Sequence, residues 1–529
     1  MADLLQHYVT RRAEQDADAV ALVMDDERLT YADLEVAGDR LANLLIDVGC
    51  VHGDRVALLT TKSPAAVTAM VGVLKAGCAY VPIDVDSPAS RIAHVLRAAE
   101  PRVLLADRRA TALLDDLVGD PSSPVIGAID EDRMSGREWA STFGRAEWDA
   151  HDATSPSISA SDGDVAHLLF TSGSTGVPKG VMITHANVVA FVEWANAYFK
   201  VTAEDRWSCH PPLHFDLSTY DIYGSFACGA ELHLVPPALN LLPHRLAGFI
   251  RRSELTRWFS VPSTLAFMTR FGAIEHGDFP ALQNLLWCGE VLPTPVLMEL
   301  MERLPHVRFT NLYGPTEATI ASSYHTVAER PADPTAAVPI GTPCDGEELL
   351  ILDDGMDPVP AREIGDLYIG GVGLSPGYWR DDDRTRAAFV PDPRTQDPTA
   401  RIYRTGDLAT RDDSGLVRFL GRADSQIKHR GYRIELGEIE TAMNALDGIR
   451  ECAVVGVDTG GFEGTTICCA YQAVPDRDVT PRALRTALLE TIPSYMVPSR
   501  WTATDGLPTN ANGKIDRRAV RAWFEDAEW

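Results

Sequence analysis

A buried strand followed at once by a loop of small and hydroxylated residues is the strongest constraint on this chain. Residues 168–185 read LLFTSGSTGVPKGVMITH, and the loop carries one lysine, Lys179. Such a loop points backbone N–H groups and short hydroxyls into one small space, as oligophosphate binding requires. Gly173, Gly176 and Gly180 also keep β-carbons away from anionic oxygens. The composition alone fits either a phosphate-binding loop or a flexible surface turn.

The order of residues in this loop narrows the choice. It does not match the nucleotide P-loop pattern G-x-x-x-x-G-K-[ST], because the lysine follows Val177 and Pro178 rather than a glycine. The string TSGSTGVPKG resembles the phosphate-loop signature of the adenylate-forming superfamily, which includes acyl-CoA synthetases, luciferases and the adenylation domains of nonribosomal peptide synthetases. The resemblance implies that the phosphates of ATP bind at Thr171, Ser172, Gly173, Ser174, Thr175, Gly176 and Lys179.

Size and charge limit the classes to which the chain can belong. At 529 residues it is too long for one core and implies at least two domains. Its formal charge of −27 argues against a nucleic-acid surface, which needs a basic face. Lys75 interrupts the best candidate for a membrane span, residues 66–83. Because the N-terminus also lacks a basic-then-apolar signal pattern, a cytoplasmic location is expected.

Alternating helical and strand patterns predict an α/β fold. Residues 31–48 have an amphipathic helical pattern, and residues 56–59 form a short apolar strand pattern. Alternation continues to about residue 160, which predicts layers around a mainly parallel sheet. Residues 348–379 alternate like strands and contain GGVGLSPGYW, interpreted as turns in a barrel-like β subdomain. The resemblance implies that residues 1–423 combine two βα-layered subdomains with this β subdomain, and that residues 424–529 form a small mobile α+β lid.

An acidic residue in an apolar segment is the main indication of the substrate. Asp216 lies between Phe215 and Leu217 in HPPLHFDLSTYD, residues 210–221. Because an unpartnered buried carboxylate is costly, Asp216 should either cap a helix that begins near Leu217 or hold a cation. The segment resembles the one in which amino-acid-activating members carry an Asp that pairs with the substrate ammonium. Members that use fatty or aryl acids generally lack this Asp. The resemblance also implies that Phe215 is an aromatic gate of the carboxylate site.

A second signature, NLYGPTEATI at residues 311–320, resembles the superfamily motif that closes over the nucleotide. By itself it is a proline-containing turn that begins a helix at Thr316. Tyr313 offers a flat ring to adenine, Thr316 offers a hydroxyl to phosphate, and Glu317 is a hard oxygen ligand suited to Mg²⁺. The resemblance supports these roles and implies that Asn311 and Gly289 line the adenine.

A side-chain pocket can be traced by matching the residues around Asp216 and Tyr313 to the superfamily pattern. No second charge lies in it, and its two aromatic residues fill space, so an apolar substrate of small to medium size is expected. The wall resembles that of prolyl-activating enzymes. Enzymes for aliphatic β-amino acids share the same ammonium anchor, and both substrate types remain open. The implied lining is Leu217, Tyr220, Phe259, Leu286, Cys288, Leu312, Ile320 and Ala321.

A third signature, RIYRTGDL at residues 401–408, supplies Asp407. A carboxylate after a glycine turn can accept two hydroxyl hydrogen bonds, as ribose recognition requires, although a lone Asp in this position is more often a turn residue. The resemblance implies that Asp407 is the ribose ligand, that Arg422 is a second ribose contact, and that Asp424 is the hinge between core and lid.

The C-terminal region carries the residue expected to drive the first reaction step. Strand patterns at residues 451–457 and 466–472 and a helical pattern at residues 481–491 predict an α+β domain. A lysine in an Asn-Gly turn such as Lys514 is usually exposed, but the resemblance implies that it reaches the substrate carboxylate and the α-phosphate. The basic run at residues 428–433 is either a solvated loop or a surface for the phosphate of a pantetheine arm. No carrier-domain serine motif follows, so a separate carrier protein is expected.

The resemblance implies a two-step ligase that uses ATP and Mg²⁺. An amino acid carboxylate would attack the α-phosphorus and expel pyrophosphate, with Lys514, Thr316 and Glu317 as catalytic residues. The lid would then rotate about Asp424, and a phosphopantetheine thiolate would take the aminoacyl group. An acyl-CoA synthetase for aliphatic or aryl acids would share every nucleotide motif without needing Asp216. A non-catalytic nucleotide-binding scaffold would tolerate the loss of Lys514 or Glu317, yet both are present.

Overall fold

The structure is a computed structural model, which describes residues 4–118, 123–136, 139–173, 178–422, 426–458, 465–474, 477, 479–509 and 515–525. The helices in this part of the chain are α1 His7–Gln15, α2 Tyr31–Asp47, α3 Pro64–Lys75, α4 Ala89–Ala99, α5 Thr111–Leu117, α6 Arg145–Ala150, α7 His185–Phe199, α8 Asp216–Cys228, α9 Pro243–Arg252, α10 Pro262–Arg270, α11 Thr294–Arg303, α12 Asp382–Ala388, α13 Leu436–Asn444, α14 Pro481–Leu488 and α15 Arg517–Glu525.

The strands of the same ranges are β1 Val20–Met24, β2 Glu27–Thr30, β3 Arg55–Leu59, β4 Ala79–Ile83, β5 Val103–Ala106, β6 Val125–Ala128, β7 Val165–Thr171, β8 Lys179–Thr184, β9 Arg206–Cys209, β10 Glu231–Leu234, β11 Arg257–Ser260, β12 Asn284–Trp287, β13 Arg308–Tyr313, β14 Ser323–Val327, β15 Thr342–Pro343, β16 Glu347–Leu352, β17 Ile364–Gly371, β18 Phe389–Pro391, β19 Arg401–Arg411, β20 Val417–Arg422, β21 Gln426–His429, β22 Tyr432–Glu435, β23 Ile449–Asp458, β24 Thr465–Ala473 and β25 Arg500–Ala503.

Two large, mainly parallel sheets form the core. One has six strands in the order β6-β5-β3-β4-β7-β8, and only its edge strand β8 runs antiparallel to its neighbour. The other has nine strands in the order β15-β14-β13-β12-β11-β9-β10-β1-β2, with parallel pairing from β13 to β1. Strands β3, β4 and β5 are almost wholly buried apolar segments, as expected where helices cover both faces of a sheet. The α/β class predicted from the sequence is therefore confirmed.

Smaller sheets complete the chain. Strands β16 to β20 form a five-stranded antiparallel sheet, in which the long strand β19 pairs with β17, β18 and β20. This sheet is the β subdomain predicted from the alternation of residues 348–379. Strands β21 and β22 form a hairpin, and β23, β24 and β25 form a separate sheet packed against α13 and α14. The predicted boundary at residues 423 and 424 lies outside the described residues and stays a prediction.

Local signals explain how several helices begin. Thr30 caps α2 through the N–H of Asp33, whose side chain accepts in return from the N–H of Thr30. Ser63 caps α3, with Pro64 in the first helical position. Lys75, the charge inside the predicted apolar run, is neutralised by ion pairs to Glu35 (2.6 Å) and Asp39 (2.9 Å). None of the helices in the described ranges has both the length and the apolar composition of a membrane span.

Two helix predictions differ from the structure. The helix predicted for residues 481–491 ends at Leu488, because the hydrogen bonds of the next residues tighten into a turn, Glu490 N–H to Ala487 and Thr491 N–H to Leu488. The helix predicted at Thr316 is only a 3-10 turn, Thr316–Ala318, since Thr319 and Ile320 have φ angles of +53° and +67°. This break lets the chain reverse into β14 immediately after the signature.

Candidate active site

A large cavity lies where the predicted phosphate loop, the start of α8 and the turn after β13 meet the hairpin β21–β22. It encloses about 920 Å³, including space open to solvent, which is in the range of small-molecule sites. Predicted site residues from four separate signatures contribute to its wall. They are Thr171, Ser172, Phe215, Asp216, Leu217, Cys288, Gly289, Thr316, Asp407 and Arg422.

The phosphate loop connects two antiparallel strands. Thr171 ends β7 and Lys179 begins β8, and the two residues are paired across the hairpin. This pairing brings the lysine back to the point at which the loop leaves the sheet. Ser172 and Gly173 are buried beside it. Ser174, Thr175 and Gly176 lie outside the described residues, so their predicted phosphate contacts stay predictions.

Glu317 is a fully buried carboxylate held by three donors. Oε1 accepts from Lys179 Nζ (2.9 Å) and from the Tyr378 hydroxyl (2.8 Å), and Oε2 accepts from Arg433 Nη1 (2.9 Å). Burial alone would raise the pKa of Glu317, but Arg433 and Lys179 outweigh it and hold the pKa well below its usual range. The carboxylate is therefore ionised at neutral pH, in the form that a metal ligand requires.

Sequence reasoning did not assign Tyr378 or Arg433 to this carboxylate. Tyr378 ends the glycine-rich run that was interpreted only as turns, and its ring lies 4.6 Å from Lys179 Nζ. Arg433 belongs to the basic run of the hairpin. The available signals were an aromatic hydroxyl directly after a glycine turn and an arginine in a segment expected to enter the site. Neither signal indicates that the residue contacts Glu317.

The carboxylate of Asp216 faces the main cavity at the start of α8. It does not cap the helix, because Phe215 precedes the first helical residue and makes no side-chain cap. Its Oδ2 accepts a hydrogen bond from the Thr316 hydroxyl at 2.6 Å. Loss of solvent raises the pKa of Asp216 to about 6, although the hydrogen bonds from Thr316 and from the N–H of Leu217 oppose this. The cation-holding interpretation of Asp216 thus fits the geometry better than the capping one.

Thr316 therefore has an acceptor that the sequence did not suggest. Its hydroxyl was predicted to bind phosphate, and in the structure it donates to Asp216. Thr316 and Glu317 are adjacent in the 3-10 turn, so one short element touches both the Asp216 carboxylate and the charged cluster around Glu317. This turn links the predicted amino acid site to the predicted phosphate site.

A second cavity, of about 490 Å³, lies beside the main one and contains the residues predicted for adenine. Gly289, Asn311 and Tyr313 line it, together with apolar Val338 and Ile340. The Asn311 amide donates to the carbonyl of Pro339 at 2.8 Å, which fixes its orientation. A mostly apolar cavity with one oriented amide suits a nucleobase.

Asp407 lies in β19 and not in a turn, and two donors hold it. Its Oδ2 accepts from the Tyr313 hydroxyl at 2.5 Å, and its Oδ1 accepts from Arg422 Nη1 at 2.6 Å. Each carboxylate oxygen has a second lone pair. Asp407 can therefore still accept from a ligand hydroxyl while Arg422 and Tyr313 keep it in place, as a ribose ligand requires.

The predicted side-chain pocket is apolar and tightly packed. Leu217 and Cys288 line the main cavity directly, while the other predicted lining residues are buried behind or beside them. The Tyr220 hydroxyl donates to Asn196 Oδ1 at 3.3 Å, away from the cavity. Edge-on ring contacts with Phe191 and Trp207 hold the same side chain. The buried residues that do not line the main cavity are Tyr220, Phe259, Leu286, Leu312, Ile320 and Ala321, of which Leu312 lines the second cavity.

The hairpin β21–β22 inserts into this site from the C-terminal domain. The Ser172 hydroxyl donates to the carbonyl of Arg433 at 2.6 Å, and Tyr432 packs edge-on against Phe215 with ring centroids 4.7 Å apart. Next to the hairpin, Arg91 of the core is ion-paired with Glu438 of α13 at 2.5 Å. In this structure the hairpin therefore occupies part of the predicted active site. Lys514 and Asp424 lie outside the described residues.

Metal binding rests on Glu317 alone among the predicted residues. In the described ranges, no group of three or more His, Cys, Asp or Glu side chains is placed to hold a metal ion. Mg²⁺ often uses only one or two protein carboxylates and completes its shell with substrate phosphates and water. A single ionised Glu317 beside a phosphate loop is compatible with that mode.

Comparisons with known proteins agree with this assembly. Profiles of the AMP-binding enzyme family and of the AMP-binding enzyme C-terminal domain match residues 9–379 and 438–514. The L-proline–(L-prolyl-carrier protein) ligase of Streptomyces coelicolor is 36% identical over 526 residues, which cover 96% of this chain and 94% of that protein.

Two further matches complete the comparison. Phosphinothricin tripeptide synthetase PhsB of Streptomyces viridochromogenes is 38% identical over 98% of this chain, and the chain spans 42% of PhsB, less than half of its length. The crystal structure of the Vibrio cholerae adenylation domain AlmE with glycyl-adenosine-5'-phosphate superposes with a TM-score of 0.83 at 25% identity. That superposition covers 99% of this chain and 98% of the AlmE chain.

Proposed function

This chain belongs to the AMP-binding enzyme family, and we propose that it activates an amino acid with ATP and passes it to a carrier protein. The observation that carries the choice of an amino acid is the Asp216 carboxylate on the cavity wall. Phe215, Leu217 and Cys288 form the wall beside Asp216, and an ionised carboxylate among such groups favours a substrate that brings a positive charge. The similarity to an L-prolyl-carrier protein ligase supports the same choice.

In the first step, the substrate carboxylate attacks the α-phosphorus of ATP, the bond between the α- and β-phosphates breaks, and pyrophosphate leaves. No general base is needed, because a carboxylate is ionised at neutral pH. Lys179 and Ser172 face the leaving phosphates, Asp407 holds the ribose, and Lys514 bridges the attacking oxygen and the α-phosphate. Glu317 would hold Mg²⁺, which when bound supplies positive charge to the phosphates.

In the second step, a phosphopantetheine thiolate attacks the acyl carbon and AMP leaves, giving an aminoacyl thioester. A cavity of about 400 Å³, lined by core residues and by Tyr495 of the C-terminal region, is the route that we propose for the pantetheine arm. Arg91, Phe170, His214 and Tyr495 line both this cavity and the main one, so the two adjoin. The inserted hairpin and the Arg91–Glu438 ion pair support assignment of the present lid position to this step.

The side chain of the substrate is proposed to be apolar and of small to medium size. Leu217 and Cys288 form the wall next to Asp216, and the Tyr220 hydroxyl is turned away toward Asn196. No charged side chain is among the predicted lining residues in the described part of the chain. A proline-like α-amino acid and an aliphatic β-amino acid both satisfy these conditions, because each brings one ammonium and an apolar body.

Exchange of labelled pyrophosphate into ATP tests this function. The panel contains L-proline, other small apolar α-amino acids, aliphatic β-amino acids, and for each its analogue without the amino group. We expect the best amino acid to support exchange at least about 100-fold faster than its analogue, because the analogue leaves Asp216 unpaired. Exchange with fatty or aryl acids, and none with amino acids, would contradict the proposal and identify an acyl-CoA synthetase.

Activity is also expected to decline at acidic pH through Asp216. Its pKa is about 6, raised by loss of solvent and by Glu317 and lowered by Thr316 and Lys428. Because only the ionised carboxylate pairs with an ammonium, kcat/KM for the amino acid should fall about tenfold per pH unit below this value. The pH profile of the exchange reaction measures this limb. A profile that stays flat down to about pH 5 would contradict the anchoring role.

A further inference from the structure

The contact between Arg433 and Glu317 joins the lid to the carboxylate proposed as the metal ligand. Arg433 Nη1 lies 2.9 Å from Glu317 Oε2, and the other carboxylate oxygen is taken by Lys179 and Tyr378. Glu317 has no exposed surface, and 17% of the Arg433 side chain is exposed. The guanidinium is held from behind, because its Nε donates to Gln426 Oε1 at 2.8 Å. Arg433 is therefore aimed at Glu317 by its own hairpin.

This geometry places a positively charged group against each oxygen of Glu317. A divalent cation bound to Oε2 would lie close to the Arg433 guanidinium. In a buried site, two positive groups on one carboxylate oxygen repel each other strongly. Arg433 and a divalent metal ion are alternative partners of the same carboxylate oxygen.

A second contact of the same hairpin also occupies a group predicted to bind the ligand. The Ser172 hydroxyl, in the phosphate loop, donates to the backbone carbonyl of Arg433 at 2.6 Å. A phosphate oxygen at this loop would need that hydroxyl as a donor. The hairpin thus occupies one predicted contact of the metal ion and one of the leaving phosphates at once.

We propose that Arg433 is a positioning residue that takes the place of the magnesium ion on Glu317, so that bound magnesium pyrophosphate and the inserted lid hairpin exclude each other. While magnesium pyrophosphate from the first half-reaction remains bound, the hairpin then stays out of the site. Once the product leaves, Arg433 restores the neutralisation of Glu317 and holds the hairpin in the arrangement seen here. This inference rests on the proposed adenylation, because it takes Glu317 as the metal ligand.

Calorimetric titration with magnesium pyrophosphate tests the exclusion without any amino acid. In Arg433→Met the hairpin no longer competes for Glu317, and we expect magnesium pyrophosphate to bind about 10- to 100-fold tighter than to the wild type. Arg433→Lys keeps a cation and should bind close to the wild-type value. Arg485→Met, which removes an exposed arginine from α14 of the same lid, is the matched control and should leave binding unchanged.

The direction in which the affinity for magnesium pyrophosphate changes in Arg433→Met tests the proposal. Equal affinity in Arg433→Met and wild type would overturn the proposal, and so would weaker binding, which would mean that Arg433 contacts the phosphates itself. The gain should vanish when a chelator removes magnesium and free pyrophosphate is titrated. A gain that persists would assign the competition to pyrophosphate and not to the metal ion, which also contradicts the proposal.

Amide hydrogen exchange supplies a readout of the hairpin that does not depend on binding heat. Adding magnesium pyrophosphate to the wild-type chain should speed exchange in the peptide covering residues 426–435, because the hairpin leaves the site. Unchanged exchange in that peptide would overturn the proposal. Either result is independent of the amino acid panel, so failure here is distinguishable from failure of the proposed function.

Discussion

Replacing Lys514 by alanine should abolish ATP–pyrophosphate exchange while thioester formation from preformed aminoacyl-AMP survives. The expected loss in the exchange rate is at least about 10²- to 10³-fold, the effect of removing a group aimed at charge that develops in the transition state. The second step should be spared because the hairpin β21–β22 occupies the cavity in the arrangement assigned above to thioester formation. Rapid-quench assays with each substrate measure the two half-reactions separately.

The control for this experiment is Lys200→Ala, which removes an exposed lysine at the end of α7. It should leave both half-reactions at wild-type rates. Loss of both half-reactions in Lys514→Ala, with an unchanged melting temperature, would remove Lys514 from its proposed role. Full exchange activity in Lys514→Ala would do the same.

Asp216→Asn should lose amino acid activation and keep the fold. The asparagine oxygen can still accept the hydrogen bond from the Thr316 hydroxyl, but it cannot neutralise an ammonium. Removing one partner of a desolvated charge pair costs about 2–5 kcal/mol, which corresponds to a fall of roughly 30- to 4,000-fold in kcat/KM for the amino acid. Steady-state pyrophosphate exchange measures this ratio.

The substrate itself provides the control for Asp216→Asn. The analogue without an amino group has no charge to lose, so the variant should use it at least as well as the wild type does. An equal fall for amino acid and analogue would show that the substitution damaged the site in general. An unchanged rate with the amino acid would show that another group holds the ammonium.

The sequence predicted which residues lie together in the candidate site better than it predicted the contacts between them. Asp216, Glu317 and Lys179 were each found in a short signature, because spacing within a signature is local information. Their contacts are not local. Thr316 meets Asp216 across 100 residues, and Arg433 meets Glu317 across 116, so no periodicity or turn pattern could have paired them.

For the fold as well, local features were predictable from the sequence and long-range contacts were not. Alternation of helices and strands predicted layered parallel sheets, since each pattern reflects burial within one element. Sheet order was not predictable in this way: β1, near the N-terminus, pairs with β10, more than 200 residues later. The lining of the predicted amino acid pocket was traced by resemblance. Only the structure shows that Leu217 and Cys288 face the cavity, whereas Tyr220 is turned toward Asn196.

A crystal structure of the chain with a non-hydrolysable analogue of the aminoacyl-AMP would examine the ammonium anchor directly. We predict that the amino nitrogen of the ligand lies about 3 Å from an oxygen of Asp216, with the adenosine between Tyr313 and Asp407. An amino nitrogen that points to solvent or to another residue, with the Asp216 carboxylate left without a ligand contact, would contradict the proposed amino acid activation.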